Sequence, residues 1–510
     1  MQRVKDRVNW VFPAPEQGEI AYKSESGKVV VYPRRFHILI AYALSYFLWN
    51  MHTFRQTILT QEYAKYFDTT NEFNPSEGEL GVDFMLLADS FYLVLMYPLA
   101  GYLVDRYGMV CIAYGSVGQA ISTWWWYLSF DNFGSVLASR VLASMSGVMI
   151  ACGLLPLTMT WFPTTERALA VAAGTIVATF GAGAALVLGP LFYTGEQAVD
   201  VSLKSCEKDF RDNFNASAGS ECTEEAELDF CCVYPADIDT YNLILALACT
   251  LVAVYTVVVM QQRPPTPPSV VGKTKENPTF KQAVVLMFSH RNYAQICLAD
   301  FIASGPPLVL FSSISRIFPP SVSDYSFLVA ATGLVLAIPV VAYFSQRLAK
   351  KQNFYGLTAA TYTGGFLFWT AAALCYAVAT DASEVAILGL GAGALVSLSL
   401  WTVSVYELKM EYVYDRTYSL GGFIVGFDRT IINLSTLVFV AAIPPERFES
   451  LDVPGRNMTM YIGSVFMLFG VILVWTIKDK YLYLRTAHED EEKEGKIDTV
   501  SNADGKTIEL

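Results

Sequence analysis

The side chains best placed to do chemistry in this sequence are the few ionisable ones that interrupt long apolar runs. In the first half they are Arg55, Asp89 and Arg140, with His52 and Gln56 beside the first of them; in the second half they are Asp300, Asp428 and Arg429. Charge held in hydrocarbon is costly and by default marks a function, so these eight residues are candidates for binding a solute or coupling its movement to an ion. The competing role for each is structural pairing between helices. At 1.5 Å per residue, Arg55, Asp89 and Arg140 all fall about 7–11 Å below the outer ends of their runs and form one layer. Two arginines and one aspartate leave a charge of +1, which a carboxylate or phosphate gripped bidentately would neutralise. The other arrangement is an Asp89–Arg140 gate pair with Arg55 snorkelling to the outer interface.

Other chemistries fail on spacing. Gly272-Lys273-Thr274 resembles the end of a phosphate loop, but Pro267 stands where its first glycine belongs. Gly389, Gly391 and Gly393 lie inside an apolar run, where helix packing explains them better than a dinucleotide turn. His37, His52, His290 and His488 are dispersed, with no H-E-x-x-H and no paired Cys-x-x-Cys, so neither a metal site nor a cofactor is expected. No nucleophile–base set is visible, and the chain does not read as an enzyme. A net charge of −12 also argues against a nucleic-acid partner.

The elements that must position these residues follow from composition. Of 510 residues 53% are apolar and 16% charged, against about 25% charged in soluble proteins. Runs long enough to span a bilayer fall at 36–58, 83–104, 109–128, 133–156, 168–193, 241–260, 293–315, 325–346, 354–379, 384–406, 417–443 and 458–478. The expected fold is therefore an all-α integral membrane protein of twelve transmembrane helices. It divides into a 1–35 tail, a six-helix lobe at 36–260, a proline-bearing linker at 261–292, a second lobe at 293–478 and an acidic tail at 479–510. With the N-terminus inside, the inner segments carry 25 Lys and Arg and the outer loops 7, which places both termini in the cytoplasm. No cleaved signal peptide is visible at the N-terminus.

The 194–240 loop supports that orientation. It holds Cys206, Cys222, Cys231 and Cys232 beside the sequon at Asn215, and a second sequon, Asn457, precedes helix twelve. Disulfides and glycans at these positions suit an oxidising exterior. Crossed pairs using Cys206 and Cys222 are preferred over a bond between neighbours. The five remaining cysteines read as small packing residues. The plasma membrane fits this pattern best, although an endosomal or vacuolar lumen presents the same face. A monomer in the lipid bilayer is expected.

Two motifs connect the chain to a family. Gly101-Tyr-Leu-Val-Asp105-Arg106-Tyr-Gly108, in the turn after helix two, resembles the G-x-x-x-D-R-x-G signature of the major facilitator superfamily. Gly101 lets helices approach closely, Asp105 can pair with a helix end or a base when the inner side is closed, and Gly108 permits the reversal. Trp161-Phe-Pro-Thr-Thr-Glu166-Arg167 is similar to the W-F-P-x-x-E-R segment of the same superfamily. The resemblance implies a two-lobed secondary transporter in which Gly101, Asp105, Arg106, Gly108, Glu166 and Arg167 govern gating. A narrower resemblance, to the feline leukaemia virus subgroup C receptor-related transporters of choline, ethanolamine or haem, rests on Arg34-Arg35-Phe36, the Trp161-Phe162 pair and Glu407-x-x-x-Glu411-x-x-Tyr414. That family's aromatic and glutamine positions fall on Thr53, Thr179 and Leu308, so its substrate does not carry over.

The reading is a transporter that moves a small organic solute by alternating access. Proton coupling suits the Asp residues, and facilitated diffusion fits as well. The alternative is a receptor or scaffold that has the fold without the transport.

Overall fold

A computed structural model describes residues 19–24, 27–58, 82–129, 132–191, 238–264, 278–312, 354–378, 404–413, 420–442 and 453–477, with the single positions 343, 397 and 401. The first lobe contains α1 (Arg34–Ile58), α2 (Val82–Tyr107), α3 (Val110–Leu128), α4 (Phe133–Ala151), α5 (Leu154–Trp161), α6 (Thr164–Leu191) and α7 (Ile238–Val259). The second contains α9 (Arg291–Ser312), α10 (Phe354–Val378), α11 (Gly421–Ala442) and α12 (Val453–Trp475), together with a helical stretch at 404–413. Between the lobes lies the short α8 (Phe280–Ser289).

Ten of the twelve expected spans are present as helices among the described residues. The fourth is α4 continued by α5 after an interruption at Cys152 and Gly153. Expected helix eight lies outside the described residues except at Tyr343, and helix ten is seen at its inner end. The cysteines Cys206, Cys222, Cys231 and Cys232, the sequon Asn215 and the tail after 477 also fall outside them.

The structure adds three details to these expectations. The N-terminal tail carries a two-stranded antiparallel hairpin, β1 (Glu19–Ser24) paired with β2 (Gly27–Val31), beside a fold that is otherwise helical among the described residues. The run of β-branched residues Val29-Val30-Val31 favours a strand, a signal that the charge count obscured. Within the 261–292 segment α8 starts behind a capping box in which Thr279 accepts from the Gln282 N–H and Gln282 reaches back. Asn457 sits inside α12, which begins at Val453, ahead of the expected start at 458.

Local chemistry sets the key boundaries. Asn132 caps α4 by accepting from the Ser135 N–H at 3.1 Å. Phe162 is extended because it precedes Pro163, and the Pro163 carbonyl accepts from both Glu166 and Arg167 N–H at 3.0 Å. That turn fixes the acid and the base in the first turn of α6. Gly108 closes α2 with a φ of 71°, a left-handed conformation that suits glycine.

Within the first lobe α1 packs on α6, α3 on α4 and α7 on α3; within the second α12 packs on α9 and α10, and α9 on α11. The main contact between lobes is α2 against α11. Outward faces remain apolar, as on α7, where Ile244, Leu247, Leu251 and Val254 recur at helical spacing and Leu251 is 72% exposed. The stretch Thr240–Val259 has a mean hydropathy of 2.4, and a face of that kind belongs in hydrocarbon.

Candidate functional site

The inner end of the lobe interface is built on glycine. A Cβ on Gly101 would lie 2.5 Å from the Gly422 carbonyl oxygen, and one on Gly422 would lie 2.8 Å from the Gly101 oxygen. The α2 and α11 backbones therefore touch. Into that crossing Asp105 projects its carboxylate, which accepts from the N–H groups of Gly422 at 2.7 Å and Phe423 at 2.8 Å. These are orphan donors at the positive end of α11. Asp105 thus pairs with a helix end, and Arg106 turns to solvent and donates to the Tyr102 hydroxyl at 3.0 Å.

A second closure joins α6 to the 404–413 stretch. Arg167 donates bidentately to Glu407, Nε at 3.1 Å to Oε1 and Nη2 at 2.6 Å to Oε2, with both side chains buried. Glu166 faces the other way, to Arg35 at 3.0 Å within the first lobe.

Deeper in the second lobe Lys409 bridges Asp300 and Asp428, and the Tyr362 hydroxyl donates to Asp300. The Lys409 and Asp300 side chains are fully enclosed. The apolar run 384–406 leaves Lys409 in an inner loop, so spacing alone gives no sign of it as a site residue. The helix extends through 413 instead of ending at 406, which draws Lys409 into the protein. Removing it from the inner tally leaves the charge asymmetry intact.

The expected outer layer is arranged differently from its prediction. Arg55 does not snorkel outward. It is 1% exposed, donates to Asn242 Oδ1 at 2.6 Å and lies 3.9 Å over the Trp126 ring. His52 meets the same ring edge-on. Arg140 donates to the carbonyls of His52 at 3.1 Å and Thr53 at 3.2 Å. The structure therefore binds Arg55 and Arg140 into the first lobe. Gln56 and Asp89 lie on α1 and α2, and their side chains are outside the described set.

Arg429 stands apart from these pairs. It is half-buried on α11, and its electrostatic neighbours are Tyr46 of α1, Tyr97 of α2, Tyr406 and Asp428. On α1 the residues Tyr42, Tyr46 and Trp49 follow one another along a single face, with the last two rings stacked at 5.5 Å. The i, i+4, i+7 spacing of these aromatics was the available signal for this cluster. Among the described residues the cysteines Cys111, Cys152, Cys249 and Cys297 are free and buried, and no group of His, Cys, Asp and Glu could hold a metal.

Residues 38–199 match the family model of the Major Facilitator Superfamily. Over 86% of its length the chain overlays 98% of the E. coli fucose:proton symporter FucP, with a TM-score of 0.60 at 13% identity. The fold is that of a major facilitator transporter. The proton:xylose symporter XylE is similar, with a TM-score of 0.59 at 12% identity, 87% of this chain and 95% of that one being covered. So is the human organic anion transporter MFSD10, with a TM-score of 0.55 at 13% identity, covering 87% and 100%. No curated protein matches the chain. These matches do not confirm the narrower resemblance to the receptor-related choline and haem transporters. A major facilitator fold makes the chain a multi-pass membrane protein.

Proposed function

We propose that this protein is a secondary transporter that moves a small organic solute by alternating access between its two lobes. The observation that carries the reading is the inner closure, in which Asp105 holds the α11 N-terminus and Arg167 holds Glu407 across the lobe interface. Both are polar latches, and the first sits on a glycine crossing. They can be exchanged for water when the lobes rock, whereas interdigitated apolar side chains would resist separation. The gating residues are Gly101, Asp105, Arg106, Gly108, Glu166 and Arg167.

Proton coupling belongs to the same reading. Asp300 and Asp428 share one lysine, so the buried triad carries an excess negative charge that either a proton or the guanidinium of Arg429 balances. FucP and XylE are described as proton symporters, which supports a gradient as the driving force.

The test begins with a thermal-shift screen of the purified full chain against amino acids, monocarboxylates, choline and ethanolamine, because a ligand of the native state raises apparent stability. Each hit is then assayed for flux into proteoliposomes with and without an inward proton gradient. Expected is gradient-stimulated uptake. A ligand that binds tightly and never crosses would overturn transport.

A further inference from the structure

We infer that Arg429 and the tyrosines around it form the solute site, and that the solute is a small organic carboxylate. The inference deepens the transport reading and rests on it.

The site spans both lobes at one depth. From the inner ends of their helices, Arg429 lies about 12 Å up α11, Tyr42 and Tyr46 about 12–18 Å up α1, and Tyr97 about 15 Å up α2. Tyr406 lies about 10 Å above the end of the 404–413 stretch. This is the middle of the membrane and the plane where the lobes meet. A ligand held there touches α1 and α2 on one side and α11 on the other, as alternating access requires.

The unmet hydrogen-bond donors decide the ligand's chemistry. Arg429 Nε, Tyr42 OH, Tyr406 OH and Trp49 Nε1 are buried without a hydrogen-bond partner. Tyr42 and Tyr406 are 0% and 1% exposed, and both lie within electrostatic reach of the guanidinium. Buried donors are ordinarily satisfied, and the three of these around Arg429, its own Nε and the Tyr42 and Tyr406 hydroxyls, define a missing acceptor; the Trp49 indole N–H packs on Gly147 instead. No carboxylate among the described residues pairs with Arg429. Its sequence neighbour Asp428 is taken by Lys409.

The acceptor that fits is a planar oxyanion. A guanidinium fork matches a carboxylate bidentately, while the phenol hydroxyls supply further donors. The Tyr46 ring, held from behind by its stack on Trp49, gives an apolar wall for the rest of the molecule. A quaternary ammonium needs ring faces without a fixed cation among them, and Arg429 repels it. Asp300, Asp428, Lys409 and Arg429 sum to zero, so a monoanion adds one negative charge. The co-transported proton on the Asp300–Asp428 pair cancels that charge. The groups facing that pair are Lys409, Tyr362, Tyr293, Cys297, Tyr406 and Arg429.

The experiment titrates the purified full chain with benzoate, with lactate and with choline at constant ionic strength, following the thermal midpoint. Expected is stabilisation by at least one of the two carboxylates and none by choline. Arg429→Gln should weaken carboxylate affinity about a hundredfold, and Arg429→Lys, which keeps the charge and loses the fork, about tenfold. Tyr406→Phe keeps the ring and should cost about three- to tenfold, so the inference stays testable if Arg429→Gln does not fold. It is overturned if choline alone stabilises the protein, if neither carboxylate does, or if folded Arg429 and Tyr406 variants bind as the native chain does. Counterflow of labelled benzoate or lactate separates the two readings. Arg429-dependent binding without counterflow leaves the anion site standing and removes transport, whereas choline counterflow unaffected by Arg429→Gln does the reverse.

Discussion

Replacing Asp105 by Asn tests the latch at its simplest point. In the native chain both carboxylate oxygens accept backbone N–H groups, at 2.7 and 2.8 Å, from the first turn of α11. A hydrogen bond to a charged group contributes about 1.5–3 kcal/mol net, and the helix terminus adds about 0.3–1 kcal/mol for a full negative charge. Asparagine keeps one acceptor, loses the charge and turns a donor toward the second N–H. The closed state should therefore lose about 2–3 kcal/mol, and the inner-open population should rise about 30- to 140-fold at 1.4 kcal/mol per decade. Hydrogen–deuterium exchange reads this directly, because the amides of Gly422 and Phe423 exchange only when the latch opens. The peptide covering residues 420–428 should exchange faster by that factor, while peptides from α4 and α6 stay at their native rates. Exchange in 420–428 within about threefold of native, in a variant that folds normally, would refute the assignment of Asp105 as a latch. A variant that instead loses protection everywhere would return the Gly101–Gly108 turn to a purely structural role.

Other perturbations follow from the same geometry. Glu407→Gln leaves the Arg167 guanidinium buried without its carboxylate and should cost about 3–5 kcal/mol, seen as a lower thermal midpoint; the double change Arg167→Met with Glu407→Leu should recover the midpoint without restoring flux. Equal midpoints for the single and double variants would show that the pair is not buried as a unit. Gly101→Leu puts a side chain where the Gly422 oxygen lies 2.5 Å from a Cβ, so flux should fall by more than about tenfold in a protein that still inserts; undiminished flux disproves the close crossing. Lys409→Met sets two buried carboxylates against each other and should lower the midpoint, with Lys409→Met plus Asp300→Asn recovering part of the loss. For the topology, Asn215→Gln should remove a glycan-dependent mobility shift, and no shift in either protein argues against an outer 194–240 loop.

The aromatic segment Trp124-Trp125-Trp126 shows how far sequence position carries. At the end of α3 all three suit an interfacial belt, and Trp125 is indeed 41% exposed, whereas Trp126 is 1% exposed beneath Arg55 and His52. Consecutive residues on a helix point about 100° apart, so a depth shared along the chain says nothing about the face each ring presents.

Local chemistry legible in the sequence determined the spans, the bilayer and the bends. Run length relative to hydrocarbon thickness sets the first two, and the bends follow from proline at 163 and glycine at 108, because neither depends on a distant partner. The same locality made the Gly101–Gly108 and Trp161–Arg167 segments recognisable. Only the tertiary structure decided which charges meet. Arg167 and Glu407 are 240 positions apart, Asp105 reaches a helix that begins at Gly421, and Lys409 joins Asp300 to Asp428 because its helix runs about two turns past its apolar run. Arg55 and Arg140 share a depth with Asp89 in the sequence, yet helix phase turned both into their own lobe and left Arg429 facing the tyrosines. A side chain's partner is set by rotation about the helix axis and by which helices touch, and neither quantity is encoded in spacing along one chain segment.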